Sequence, residues 1–87
     1  MTYDVRLVRH AEAYLRRLDA RTRERVTRQL ERIAGDPYGP FSKQLTNAEG
    51  RRSVRVGDIR ILYSVDDVER VVLVSAIGPR GHVYRDL

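Results

Sequence analysis

Polar and apolar residues alternate over residues 3–8, with Tyr3, Val5 and Leu7 on one side and Asp4 and Arg6 on the other. That period predicts a half-buried strand. The period then changes. Ala11, Tyr14, Leu15 and Leu18 recur at helical spacing and predict a helix over residues 10–18, although Val8, Arg9 and His10 supply no good N-cap. Val26, Leu30, Ile33 and Ala34 form a cleaner stripe for a second helix over residues 20–34, capped by Asp19 or Thr22. Gly35 suits the position just past that helix, and Pro37 stops any continuation. The short link makes the two helices an antiparallel hairpin. The polar face of the second helix carries Arg21, Arg23, Glu24, Arg25, Arg28, Glu31 and Arg32, with Glu24 and Arg28 in the favourable i, i+4 order. Such a face is ordinarily a solvated one.

Residues 36–50 read as a loop, with Pro37, Gly39 and Pro40 in it and Phe41 and Leu45 tucking it down on either side of Lys43. Alternation returns at residues 51–63. Gly57-Asp58 between alternating apolar residues is a two-residue hairpin signal, with Gly57 supplying the positive φ of a type II′ turn. The turn sets the register: Val56 faces Ile59, Arg55 faces Arg60, Val54 faces Ile61 and Ser53 faces Leu62. Val54, Val56, Ile59 and Ile61 then share one face of the sheet, and Arg55 and Arg60 the other. A second turn is expected at Asp66-Asp67. Residues 71–77 are almost continuously apolar and β-branched, which predicts a central strand buried on both faces. The run 78–81 breaks it, because Pro79 cannot donate to a ladder. Residues 82–87 form a short extended tail. A three-stranded antiparallel meander needs its apolar face covered, and the helix hairpin can cover it. The fold class is α+β, in a single domain of residues 1–87.

Composition adds three constraints. The chain lacks cysteine, so it has neither a disulfide framework nor a thiolate site. It has no apolar run long enough to span a bilayer, and its first residues lack the apolar core of a signal peptide, so a cytoplasmic protein is expected. Its net charge is +5, and all but one of its 17 basic residues are arginine. Arginine makes planar, bidentate contacts with phosphate and stacks on bases, so a polyanion or an acidic partner is favoured.

The chemistry-bearing residues narrow this further. His10 and His82 have no partnering pattern for a metal, and there is no glycine-rich phosphate loop. What stands out is the Arg55/Arg60 pair. Two guanidinium groups directly opposite each other weaken a sheet. An anion between them would explain the arrangement, and phosphate is the obvious one. With Arg80, His82 and Tyr84 in the tail, the set suits metal-free cleavage of RNA by its own 2′-hydroxyl. Guanidinium groups stabilise the dianionic phosphorane, and His82 or a phenol with lowered pKa serves as base.

At this point the chain resembles the RelE/ParE superfamily of bacterial toxins from toxin–antitoxin systems. The likeness is carried by Arg55-Val-Gly-Asp-Ile-Arg-Ile-Leu-Tyr63, Ile77-Gly-Pro-Arg80, Val83-Tyr84-Arg85, Lys43-Gln-Leu45 and the opening strand. It implies a RelE-like fold, with an N-terminal strand, a two-helix hairpin and a three-stranded meander completing a sheet packed on the helices. In its RelE-like branch it implies a ribosome-dependent endoribonuclease, an mRNA interferase. Arg55 and Arg60 would hold the scissile phosphate, Arg80 would act near the leaving group, and Tyr84 would orient the nucleophile or act as base. Lys43, Arg51, Arg52 and Ser53 would hold flanking RNA. No cofactor or metal is implied. The partners implied are a cognate antitoxin, the ribosome and mRNA, and operator DNA through the antitoxin. Ser53, Ile59 and Pro79 depart from residues common in active members, which are basic, aromatic and His respectively. The ParE-type branch, which poisons DNA gyrase, and a non-catalytic basic RNA-binding module are the alternatives.

Overall fold

The computed structural model describes residues 2–45 and 50–79 of the 87-residue chain. Its elements run β1 (Asp4–Leu7), α1 (Arg9–Arg17), α2 (Ala20–Gly35), β2 (Ser42–Gln44), β3 (Arg51–Val56), β4 (Ile59–Asp66) and β5 (Val71–Pro79). The strands form one five-stranded sheet in the order β1-β5-β4-β3-β2. β1 is parallel to β5, with Asp4 opposite Val71 and Leu7 opposite Val74, and the other pairings are antiparallel. The α+β fold expected from the sequence is therefore present, with one strand more than expected.

The helices end where local chemistry ends them. α1 starts at Val8 without a side-chain cap, as the poor signal there implied. Asp19 caps α2 by accepting from the Thr22 backbone N–H at 3.2 Å, which decides between the two expected caps. Hydrogen bonding from Thr22, its side-chain hydroxyl first and this backbone N–H second, holds the Asp19 carboxyl below its ordinary pKa. Gly35 is not the residue past the helix. It is the last helical residue, and Asp36 ends the helix at φ −157° while its N–H still bonds Arg32 O.

Val26, Leu30 and Ile33 of α2 and Ala11 of α1 are buried against Val54, Val56, Ile61, Tyr63, Val72, Val74 and Ile77 of the sheet. This is the main core, and it lies on one side of the sheet only. Burial of each of the Val, Leu and Ile side chains among them contributes on the order of 1.5–3 kcal/mol relative to exposure. The Tyr63 hydroxyl, buried in that core, donates to Pro37 O at 2.6 Å. The bond ties the segment after α2 onto the sheet.

Three expectations fail. The loop at 36–50 contains β2, an edge strand whose Lys43 lies opposite Ser53. Phe41 and Leu45 do tuck this segment down, as expected, but on opposite faces of the sheet. Phe41 packs on the main core beneath the Arg32 guanidinium, 4.3 Å from its ring, whereas Leu45 packs on Leu62 and Ala76 on the opposite sheet face. β5 is interior but not central, a place taken by β4, and it is not covered on both faces, since Leu73 is 42% exposed. β5 also runs on to Pro79, which is tolerated opposite Ile59 at the end of the ladder. A register shift at Leu62/Tyr63 leaves Ser75 without a counterpart on β4 and changes which side chains of β5 face the helices.

Candidate active site

The β3–β4 hairpin has the register expected from its turn, with Val56 opposite Ile59, Arg55 opposite Arg60, Val54 opposite Ile61 and Ser53 opposite Leu62. Gly57 has φ +60°, and Asp58 is not in the left-handed region, as a type II′ turn requires. Alternation then sends Val54, Val56, Ile59 and Ile61 to the helix side and Arg55 and Arg60 to the helix-free side. The fold thus places both guanidinium groups on the face that, among the described residues, no helix covers.

Arg60 is the centre of this face. Its neighbour on β3 is Arg55 and its neighbour on β5 is Gly78, so one side of it meets a like charge and the other a residue without a side chain. The Arg60 Nη1 is buried and, among the described residues, has no hydrogen-bond partner. A buried donor left unmatched costs about 1–3 kcal/mol, and more when the group is charged. Arg55 is exposed and its Nε donates to Gly57 O at 3.1 Å, which holds its side chain along the turn. Among the described residues the ion pairs are Arg6–Asp4, Arg16–Glu12 and Arg28–Glu24, so no carboxylate neutralises Arg55 or Arg60. Next along the face come Ser53, buried, and the small apolar patch of Leu62, Ala76 and Leu45.

The proposed flanking residues divide by strand parity. Lys43, opposite Ser53, and Arg51, opposite Ser64, belong to the helix-free face. Arg51 is about 13 Å along β3 from Arg55, at ~3.3 Å per residue. Arg52 is on the other face. Its Nε donates to Ser42 Oγ at 3.0 Å and its guanidinium lies 5.5 Å from the Tyr38 ring centre. It braces the β2 edge and is not brought to the Arg55–Arg60 pair. Arg80, His82 and Tyr84 lie outside the described residues.

A second polar cluster, not anticipated from the sequence, sits at the opposite end of the sheet. Asp67 accepts hydrogen bonds from the hydroxyls of Tyr3, at 2.5 Å, and Tyr38, at 2.6 Å. These two bonds hold the Asp67 carboxyl below its ordinary pKa, and the same bonds are the largest reason that Tyr3 is raised and Tyr38 is pushed up to about 12. Arg70, at φ +58°, stacks its guanidinium 4.2 Å from the Tyr3 ring centre. Asp66, the other half of the expected turn, accepts from the Val68 and Glu69 N–H groups at 3.0 Å. The cluster joins the start of β1, the segment after α2 and the β4–β5 turn, and its bonds are internal. A chain-distant contact of this kind leaves no local signal in a sequence.

The helix-free face can therefore hold an anion with two guanidinium groups and stabilise added negative charge there. Comparison with known proteins bears on what the anion is. The profile of the family described as "ParE toxin of type II toxin-antitoxin system, parDE" matches residues 5–84. No sequence among the curated proteins matches the chain. Among solved structures, the chain is similar to one from the RelBE2 toxin–antitoxin complex of Mycobacterium tuberculosis, with 27% identity, coverage of 92% of this chain and 100% of that one, and a TM-score of 0.79. It is similar in fold to a chain of the archaeal RelE–RelB complex of Pyrococcus horikoshii, with 24% identity, coverage of 95% and 100%, and a TM-score of 0.78. It is also similar in fold to the isolated RelE toxin of E. coli, with 24% identity, coverage of 97% and 93%, and a TM-score of 0.79. With a family profile matched over nearly its whole length and this fold beneath it, the chain belongs to the ParE toxin family of type II toxin–antitoxin systems, within the RelE/ParE superfamily.

Proposed function

We propose that this toxin is a ribosome-dependent endoribonuclease that cuts mRNA by attack of its own 2′-hydroxyl. The observation that carries the reading is the buried Nη1 of Arg60, without a hydrogen-bond partner among the described residues, beside Arg55 on the sheet face turned away from α1 and α2. A charged donor kept dry and unmatched is tolerated where a ligand completes it. The 2′-oxygen gives its proton to a base and bonds to phosphorus. The 5′-oxygen leaves with a proton, and the products are a 2′,3′-cyclic phosphate and a 5′-hydroxyl. Arg55 and Arg60 stabilise the extra charge on the phosphorane, worth about 10²–10³ in rate for one such donor. Tyr84 or His82 supplies the base and Arg80 assists the leaving group. Lys43 and Arg51 hold the flanking strand.

Several relatives were solved as toxin–antitoxin complexes, which supports a cognate antitoxin here. Its disordered segment would fold over the basic face, and the pair would bind operator DNA through the antitoxin. The family profile itself favours a second reading, a ParE-type gyrase poison. Induction of the toxin in growing cells separates the two. The expected result is new mRNA 5′ ends within translated codons by primer extension, lost in Arg60→Ala. Intact message with gyrase-linked DNA breaks would overturn the nuclease reading.

A further inference from the structure

The arginines of α2 are not alike. Arg23 donates to Leu18 O at 2.7 Å, Arg28 to Glu24 Oε1 at 2.8 Å, and Arg32 to Gln29 Oε1 at 3.2 Å. Arg21 and Arg25 are exposed and, among the described residues, have no hydrogen-bond or ion-pair partner. They are four residues apart, so they stand on one ridge of the helix about 6 Å apart along its axis. Local stability does not explain them. The first turn of α2 has no acidic residue, and a cation there meets the positive end of the helix dipole.

The ridge leads to the hairpin. A Cβ built on Gly57 would lie 3.6 Å from Arg25 Nη2 and 3.9 Å from Nη1, so the Arg25 guanidinium hangs over the turn from the helix side. Arg55 reaches the same residue from the helix-free side through its bond to Gly57 O. The two guanidinium groups are therefore no more than about 10 Å apart, given covalent dimensions at Gly57. Asp58, in the same turn, makes no ion pair with either among the described residues. Arginines with no ion-pair partner among the described residues thus run from Arg60 and Arg55, past the hairpin tip that also holds Asp58, to Arg25 and Arg21.

We propose that Arg25 and Arg21 bind backbone phosphates of the RNA strand next to the phosphate held at Arg55 and Arg60, so that the strand bends round the hairpin tip onto α2. This rests on the RNA-cleavage reading above and extends its substrate site onto a helix. The spacing suits phosphate groups on a single strand, read without regard to base, through charge-assisted bonds from planar guanidinium groups.

The test is a fluorescence-anisotropy titration of the whole protein with a labelled 2′-O-methyl oligoribonucleotide, whose capped 2′-oxygen prevents cleavage, between 50 and 200 mM salt. Each phosphate that the protein ceases to neutralise should flatten the plot of log K against log salt by about 0.7. Arg25→Gln should flatten it by one such step and weaken binding at low salt by roughly tenfold. Arg21→Gln/Arg25→Gln should flatten it further, and Arg25→Lys should keep most of the slope. Arg28→Gln removes the same charge from an arginine already paired with Glu24 and should leave the slope as it is. An unchanged slope in Arg25→Gln alongside a flattened one in Arg60→Gln would overturn the ridge and leave the active-site reading standing. A flat or absent salt response in the parent protein would overturn both. A flattened slope accompanied by a lowered melting temperature would assign Arg25 to packing and overturn the proposal too.

Discussion

Replacing Arg60 by Met should make the protein more stable and less active. Met keeps an unbranched stem of similar reach but carries no donor. The change removes the buried Nη1 that has no partner among the described residues. An unmatched buried donor costs about 1–3 kcal/mol, and because Arg60 is only half-buried the lower end applies. It also removes a like charge directly opposite Arg55, a pairing that costs on the order of 0.2–1 kcal/mol. Set against some lost stem packing, the net gain is about 1 kcal/mol, which for a domain of this size raises the melting temperature by about 4–8 °C. Activity moves the other way, by about 10²–10³, as for loss of one charge-stabilising donor. Thermal melts followed by circular dichroism at low and high salt, beside timed cleavage of translated message, read both changes. High salt should remove the Arg55 part of the gain and spare the rest. A variant that melts below the parent at every salt concentration would refute the reasoning, because Arg60 would then be a structural residue with its donors satisfied.

Two further outcomes follow from the tyrosines. Tyr63→Phe removes the buried hydroxyl that donates to Pro37 O at 2.6 Å, and should cost about 1–2 kcal/mol by urea unfolding without affecting RNA binding; a neutral result would mean the carbonyl finds another donor. The Asp67 carboxyl is lowered by its bonds to Tyr3 and Tyr38, so its contribution is present above the unfolded pKa near ~3.9 and lost as pH falls through its lower folded value. Tyr38 is raised to about 12, so its contribution is full below the unfolded phenol pKa of ~10 and lost as pH climbs from there towards 12. Stability curves against pH should lose part of their acid limb in Asp67→Asn, and the phenolate absorbance titration should lose a late component in Tyr38→Phe. Identical acid limbs would place the coupling elsewhere.

The hairpin was legible because turn chemistry and alternation agree over residues 51–63, and one glycine with φ +60° is enough to fix every cross-strand partner. The helices were legible from their stripes, and Asp19 from the capping preference of its residue type. β2 was not. Three residues at a sheet edge carry no period, and their pairing with β3 is decided by β3. The continuous apolar run of β5 concealed the bulge beside Leu62, which shifts its facing and leaves Leu73 in contact with solvent. Arg51 and Arg52 are grouped by sequence and divided by the pleat, so one of two adjacent arginines joins the face of Arg55 and Arg60 and the other braces the β2 edge. Asp67 reads locally as turn chemistry, whereas its partners are 64 and 29 residues away.

The parallel pairing of β1 with β5 sets the order in which the molecule can come into being. The β3–β4 hairpin closes across two residues, but Asp4 meets Val71 only after the intervening chain has been made and folded. Closing so long a loop is entropically the costlier step, and non-local pairing of this type is slow. β5 also lies between β1 and β4, so without it the sheet is split and Val72, Val74 and Ile77 are missing from the core. A nascent chain, synthesised from its N-terminus, therefore holds its arginine hairpin before it holds a completed sheet to mount it on. Synthesis itself delays the weapon: β5, the last of the described strands to be made, is the one that joins the two parts of the sheet, and a chain interrupted before it is left with the charges but not the frame.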